Sequence, residues 1–123
     1  MEITDDKKIM DVQKEFNEKF PYLKIEFYKE HHEPGEGTKA NAMVDTTETI
    51  GDVRTNHEEG DLSVDGHQKV STFETRCYEK YGLNVQVFRK SGDVWLQTTS
   101  TDDWTLAEQN RKGEEMTKRE EER

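Results

Sequence analysis

The sequence predicts an α+β fold in which one supersecondary unit, strand–helix–strand–strand–short helix, is used twice. Three observations carry this. Ile9, Val12, Phe16 and Phe20 step by three, four and four residues, the spacing of a one-sided helix. Val70, Phe73, Cys77 and Tyr81 repeat those steps at a shift of 61. Each stripe then meets a stop signal and an alternating apolar run. Pro21 precedes Leu23, Ile25 and Phe27, and Gly82 precedes Leu83, Val85 and Val87.

The elements follow in order. Residues 1–4 suit a short strand with Met1 and Ile3 on one face, matched in the second unit by Leu62 and Val64. Asp5 or Asp6 is expected to cap a helix over residues 7–20, where a carboxylate meets the positive end of the helix dipole. Asp65 and Gly66 form the equivalent turn before a helix over 68–81. The second strands are the alternating runs. Residues 43–49 (MVDTTET) and 95–101 (WLQTTST) predict threonine-rich third strands. Ser91, Gly92 and Asp93 make a tight hairpin ahead of the second of these. Thr105 with Glu108 fits a capping box that closes the unit, and Thr49 with Asp52 is its weaker twin.

One such unit has too little core to stand alone. The expected domain is therefore residues 1–110, built from pseudo-repeats 1–60 and 61–110 around a mixed or antiparallel sheet. Both long helices would pack on one face. Leu, Ile, Val and Phe make up only 22 of 123 residues and the net charge is −10, a pairing typical of disordered chains. The polar loop 30–41 and the charged tail 111–123 dilute the apolar content, and the tail is expected to be disordered.

The single cysteine excludes an intramolecular disulfide, and its place in the apolar stripe makes Cys77 a buried thiol. No apolar run is long enough for a bilayer, and the first residues carry no leader pattern, so cytoplasmic residence is the expectation. An acidic field disfavours nucleic acid and anionic membranes.

Chemistry-bearing motifs are sparse. No Ser/His/Asp constellation or activated cysteine is present, so neither catalytic nor cofactor-binding residues are assigned. His31, His32 and His57, each beside glutamates, carry the donors a metal ion would use, but in loops that fix no ligand spacing. Gly35-Glu36-Gly37 lacks the third glycine and the helix of a nucleotide fingerprint. Asp93, Asp102 and Asp103 could cap a helix or meet a partner's basic patch. Trp104, which has no counterpart in the first unit, suits a partner anchor or a lid on the core. Tyr28 and Phe88 occupy equivalent off-register positions, so a sheet with helices on one face would display both on the other as an interaction surface.

Residues 83–103 (LNVQVFRKSGDVWLQTTSTDD) resemble the acidic half of Phox/Bem-type interaction domains, which have a ubiquitin-like β-grasp fold. In that family a Gly-Asp hairpin joins two strands and acidic residues follow. The resemblance implies that Asp93, Asp102 and Asp103 bind a basic surface on a partner. Arg89-Lys90-Ser91 stands where the family carries acidic residues. The whole chain also looks like the small acidic proteins common in bacterial genomes. The expected function is a non-enzymatic protein-interaction module, binding a protein partner or itself through complementary acidic and basic faces. The alternative is a small-molecule or metal-binding protein using the histidine-containing loop and the threonine-rich strand ends.

Overall fold

Two alternating runs become the centre of the sheet. In the computed structural model, which describes residues 1–29, 35 and 43–122, they are β2 (Leu23–Tyr28) and β4 (Asn84–Ser91). The other elements are β1 (Glu2–Ile3), α1 (Ile9–Lys19), β3 (Gly60–Asp61), α2 (Val70–Tyr81), β5 (Val94–Gln97) and α3 (Leu106–Glu121). Short 3-10 turns occupy Gly51–Val53 and Thr99–Thr101. The main sheet has the order β2-β4-β5, antiparallel throughout, and β1 pairs with β3 in a separate ribbon. The class is α+β, as the periodicities predict.

β2 and β4 lie antiparallel with Ile25 opposite Val87 and Phe27 opposite Val85. This aligns their apolar faces, and one buried cluster takes in both helical stripes and both strands. The rings of Phe16 and Phe73, one from each helix, are 5.4 Å apart at its centre. Neither segment has a core of its own.

Positions aligned in the two segments make matching contacts. Glu26 pairs with its counterpart Gln86. Met1 and Leu62 exchange main-chain bonds, Leu62 N donating to Met1 O at 2.7 Å and Met1 N to Leu62 O at 3.0 Å. The helix starts match as well. Ile9 N donates to Glu48 O at 2.9 Å and Met10 N to Thr46 O at 3.1 Å. Val70 N donates to Trp104 O at 2.9 Å and Ser71 N to Asp102 O at 2.7 Å. Carbonyls returning from distant loops therefore satisfy the first helical N–H groups, which must otherwise find side-chain or water partners. Asp5 and Asp6 do not cap α1 as expected. The N-cap residues are Lys8 and Lys69, whose side chains cannot accept a hydrogen bond.

The predicted third strands are shorter than expected. Among the described residues, the ladder around 43–49 reduces to two isolated bridges, Met43 with Tyr28 and Thr49 with Lys8. β5 ends at Gln97: Thr98 N still bonds Val87 O at 3.3 Å, but Val87 N donates to Glu74 Oε2 instead of returning the bond, and the chain turns through Thr99–Thr101.

The tail departs most from expectation. Residues 111–121 continue α3 instead of fraying. Thr105 and Glu108 form the capping box at its start, with Glu108 N donating to Thr105 Oγ1 and Thr105 N to Glu108 Oε1. Its buried stripe is Leu106, Gln109, Gly113 and Thr117, the same three-four-four spacing as in α1 and α2. Polar and small residues fill it, so hydropathy hides it. At Gly113 an added Cβ would lie 2.9 Å from Tyr22 Cβ and 3.2 Å from Arg89 Cγ. That approach brings α3 onto the helix-bearing face of β4 as a third helix, where two were expected. Nearby, Tyr22 N donates to Asn110 Oδ1 at 2.8 Å and Gly92 N to Thr117 Oγ1 at 3.3 Å.

Gly113→Ala tests this packing. Alanine should stabilise a free helix by about 1 kcal/mol. Here we expect a net loss of about 1–3 kcal/mol from overpacking, read by urea denaturation. A stabilised variant would mean that α3 does not dock.

Candidate partner-binding surface

The sheet edges are treated unequally. On the outer edge of β2, Gln13 Nε2 donates to Ile25 O at 2.9 Å, Asn17 Nδ2 to Leu23 O at 2.8 Å, and Val44 N to Phe27 O at 2.9 Å. Helix side chains thus seal an edge that would otherwise offer free main-chain groups. Glu74, which aligns with Gln13, does the same for β4 by accepting from Val87 N at 2.8 Å.

β5 has no such seal at its centre. The Thr98 N to Val87 O bond sets the phase of the β4–β5 ladder, making Arg89–Leu96 and Ser91–Val94 its hydrogen-bonded pairs. The N–H and C=O of Trp95 therefore point away from β4, and among the described residues nothing pairs with them. On either side, Val94 is 55% and Leu96 41% exposed, both on the helix-bearing face. On the opposite face, Lys24 Nζ lies 5.1 Å from the centroid of the Trp95 ring and 5.2 Å from that of Phe88. Lys90 stands directly opposite Trp95. The edge is an apolar pair on one face, and an aromatic bordered by ammonium groups on the other.

The expected site residues scatter. Tyr28 and Phe88 are 1% and 7% exposed, so the aromatic display expected of that face is not there. The Lys24 ammonium lies over the Phe88 ring, and the main chain of Tyr28 is bridged by Met43. Trp104 is half-buried and covers Arg89, whose guanidinium lies 5.7 Å from the ring centroid and donates from Nη1 to Gln109 Oε1 at 2.9 Å. Partial burial lowers the pKa of that guanidinium. Trp104 is thus a lid over a partly buried cation. The main-chain carbonyl of Asp102 caps α2, and its Oδ2 accepts from Gly35 N at 2.6 Å. Asp93 and Asp103 are exposed, Asp93 in the hairpin before β5 and Asp103 beyond the 3-10 turn that follows it.

His57 is engaged by a carboxylate: its Nδ1 lies 2.8 Å from Asp5 Oδ2. His31 and His32 lie outside the described residues. Among the described residues no three His, Cys, Asp or Glu side chains are placed to hold a metal ion. Cys77 is buried, and desolvation, with the Glu74 charge second, pushes its thiol well above its usual pKa.

Arg54 has a structural role not expected from the sequence. Its Nε and Nη2 donate to Asp5 Oδ1 at 3.1 and 2.8 Å, and its Nη1 donates to Glu58 O at 2.8 Å and Tyr81 O at 3.0 Å. It ties the start of the chain, the linker and the C-terminus of α2 together. The signal was present: Arg54 is the lone cation among seven acidic residues in 45–65. Beside it opens a cleft of about 620 Å³ lined by Lys29, Glu48, Asp52, Asn56, Tyr78 and Glu79, among others.

Compared with family models, curated proteins and solved structures, the chain matches none. No helix among the described residues is long and apolar enough to cross a membrane.

Two outcomes follow from the Arg54 clamp. The hydrogen bond to His57 and then those from Arg54 hold the Asp5 carboxyl below its usual pKa. Its contribution to stability is therefore complete above the ordinary carboxylate pKa and is lost as pH falls through the lower folded value. Asp5→Asn should flatten the acid limb of a stability–pH curve below about pH 4. An unchanged limb would remove Asp5 from the acid response. Arg54→Ala, which strands two carbonyls and a carboxylate, should cost about 2–3 kcal/mol in chemical denaturation.

Proposed function

We propose that this chain is a non-enzymatic protein-interaction module that accepts an extended segment of a protein partner along the outer edge of β5. One observation carries the reading: the outward N–H and C=O of Trp95 lie between the exposed side chains of Val94 and Leu96. Strand addition uses these features together. Main-chain bonds supply affinity, and alternate side chains supply selectivity. The chemistry of the edge describes the incoming strand. Its side chains facing Val94 and Leu96 are apolar, and those facing Lys24 and Lys90 are acidic. Complementary charge on that face governs encounter rate and register.

The cleft beside Arg54 supports a second reading, a small polar ligand held among Lys29, Glu48, Asp52 and Glu79. Its lining sets charges of both signs around the 41% exposed Tyr78, whereas β5 places two exposed apolar side chains beside outward main-chain groups.

Extended peptides alternating apolar and acidic residues, titrated against labelled protein, test the proposal. Amide shifts should centre on residues 94–97, and affinity should fall several-fold between about 0.05 and 0.5 M salt. Leu96→Lys should weaken binding roughly tenfold while leaving the fold intact, since the side chain is exposed. Shifts confined to the cleft would favour the second reading. No response to any peptide would count against both the site and the class.

A further inference from the structure

We infer that the segment β5 accepts is β5 of a second copy of this chain, paired antiparallel about a twofold axis at Trp95. The inference rests on the reading above and names its partner.

The strand meets its own requirements. β5 puts Val94 and Leu96 on one face and Trp95 and Gln97 on the other, and Asp93 stands in the hairpin at its start. The strand thus offers an apolar face with an acid beside it, the chemistry the edge calls for. An antiparallel twofold pairing centred on Trp95 lets the two Trp95 residues exchange both of their outward main-chain bonds. The neighbouring positions then match without adjustment. Val94 of one copy lies opposite Leu96 of the other, and this happens twice across the axis. Each of the two exposed apolar side chains is covered by the other kind.

On the opposite face the charges also fit. Asp93 is exposed, and among the described residues its carboxylate has no ion-pair or hydrogen-bond partner. In this register it sits diagonal to Trp95 of the second copy, which is bordered by Lys24 and Lys90. The chain carries a net charge of −10, which opposes self-association in general, but the pairing brings this carboxylate towards ammonium groups. Among the described residues the approach is sterically open. α3 lies over β4, with Gly113 against Arg89, and leaves Val94 and Leu96 exposed beyond it. The product is a continuous six-stranded sheet, β2-β4-β5 joined to its twofold mate. A single short strand pair with two apolar contacts makes a dimer of modest affinity.

The register gives a sharp test. Val94 opposite Leu96 is a non-hydrogen-bonded pair, with Cα atoms roughly 4.5 Å apart. That falls within the range a disulfide spans, about 4.4–6.8 Å. The double variant Val94→Cys with Leu96→Cys should therefore form a cross-linked dimer under mild oxidation. Leu96→Cys alone should not, because in this register Leu96 does not face its own copy. Buried Cys77 stays out of the exchange. In sedimentation of the unmodified protein from about 10 µM to about 1 mM, a monomer–dimer equilibrium should appear, and Leu96→Lys should raise its dissociation constant at least tenfold. Hydrogen exchange at the Trp95 amide should slow as concentration rises.

A monomer at every concentration overturns the inference. So does a dimer indifferent to Leu96→Lys, or efficient cross-linking by Leu96→Cys alone. If the protein is monomeric yet still binds extended acidic peptides at residues 94–97, the interaction module stands and only the second copy as its partner is lost.

Discussion

The antiparallel pairing of β2 with β4 is the constraint on which the rest depends. These strands come from the two halves of the chain, and their register decides whether those halves share a core. With Ile25 opposite Val87, both apolar faces point the same way and both helical stripes close over them. A slip of one residue would turn Leu23, Ile25 and Phe27 outward and leave α1 with nothing to cover. Separation in sequence makes this pairing costly to form, because a long loop must close before any contact rewards it. Once formed, it brings Phe16 against Phe73 and fixes how the two helices sit.

The two halves solve their polar problems in the same way. α1 and α2 each begin at a lysine that cannot cap them, and each receives carbonyls from a loop later in its own half. A side chain from each helix then reaches the edge of the next strand, Gln13 for β2 and Glu74 for β4. Main-chain groups are thus satisfied by segments far away in sequence, so helix ends, strand edges and loops depend on one another. Arg54 extends this principle to the linker, where one buried guanidinium joins three segments. Placing a planar, always-charged donor among carbonyls and a carboxylate gives it partners in several directions.

Against that background β5 stands apart. It is held on one side by a two-residue hairpin whose Gly92 has φ +63°, a conformation that glycine adopts without strain. Its other side carries outward main-chain groups and two exposed apolar side chains. Elsewhere the protein spends helix side chains to close such edges. At β5 it does not, and the outward groups of Trp95 stay beside two exposed apolar side chains and the Lys24 ammonium.

The strongly periodic elements were legible in the sequence. Spacing alone located α1 and α2, their stop signals, the two central strands, the hairpin at Gly92 and the capping box at Thr105. The stripe of α3 has the same spacing, but Gln109, Gly113 and Thr117 gave it no hydropathy, and only the close approach of Tyr22 and Arg89 explains why a glycine belongs there. The candidate surface was legible only in outline. Composition pointed to aromatics and aspartates, yet Tyr28 and Phe88 are covered, Trp104 lies over Arg89, and Asp93 stands in a different turn from Asp102 and Asp103. Val94 and Leu96 carried no signal, because an apolar residue in a strand is expected inside. The sequence by itself determined which segments are helix or strand and which faces are apolar, since those depend on local period. Tertiary structure alone decided which edge was left open and which charges surround it. Those properties depend on strand order, hydrogen-bond phase and the reach of distant side chains, and none of these is written in the spacing of neighbours.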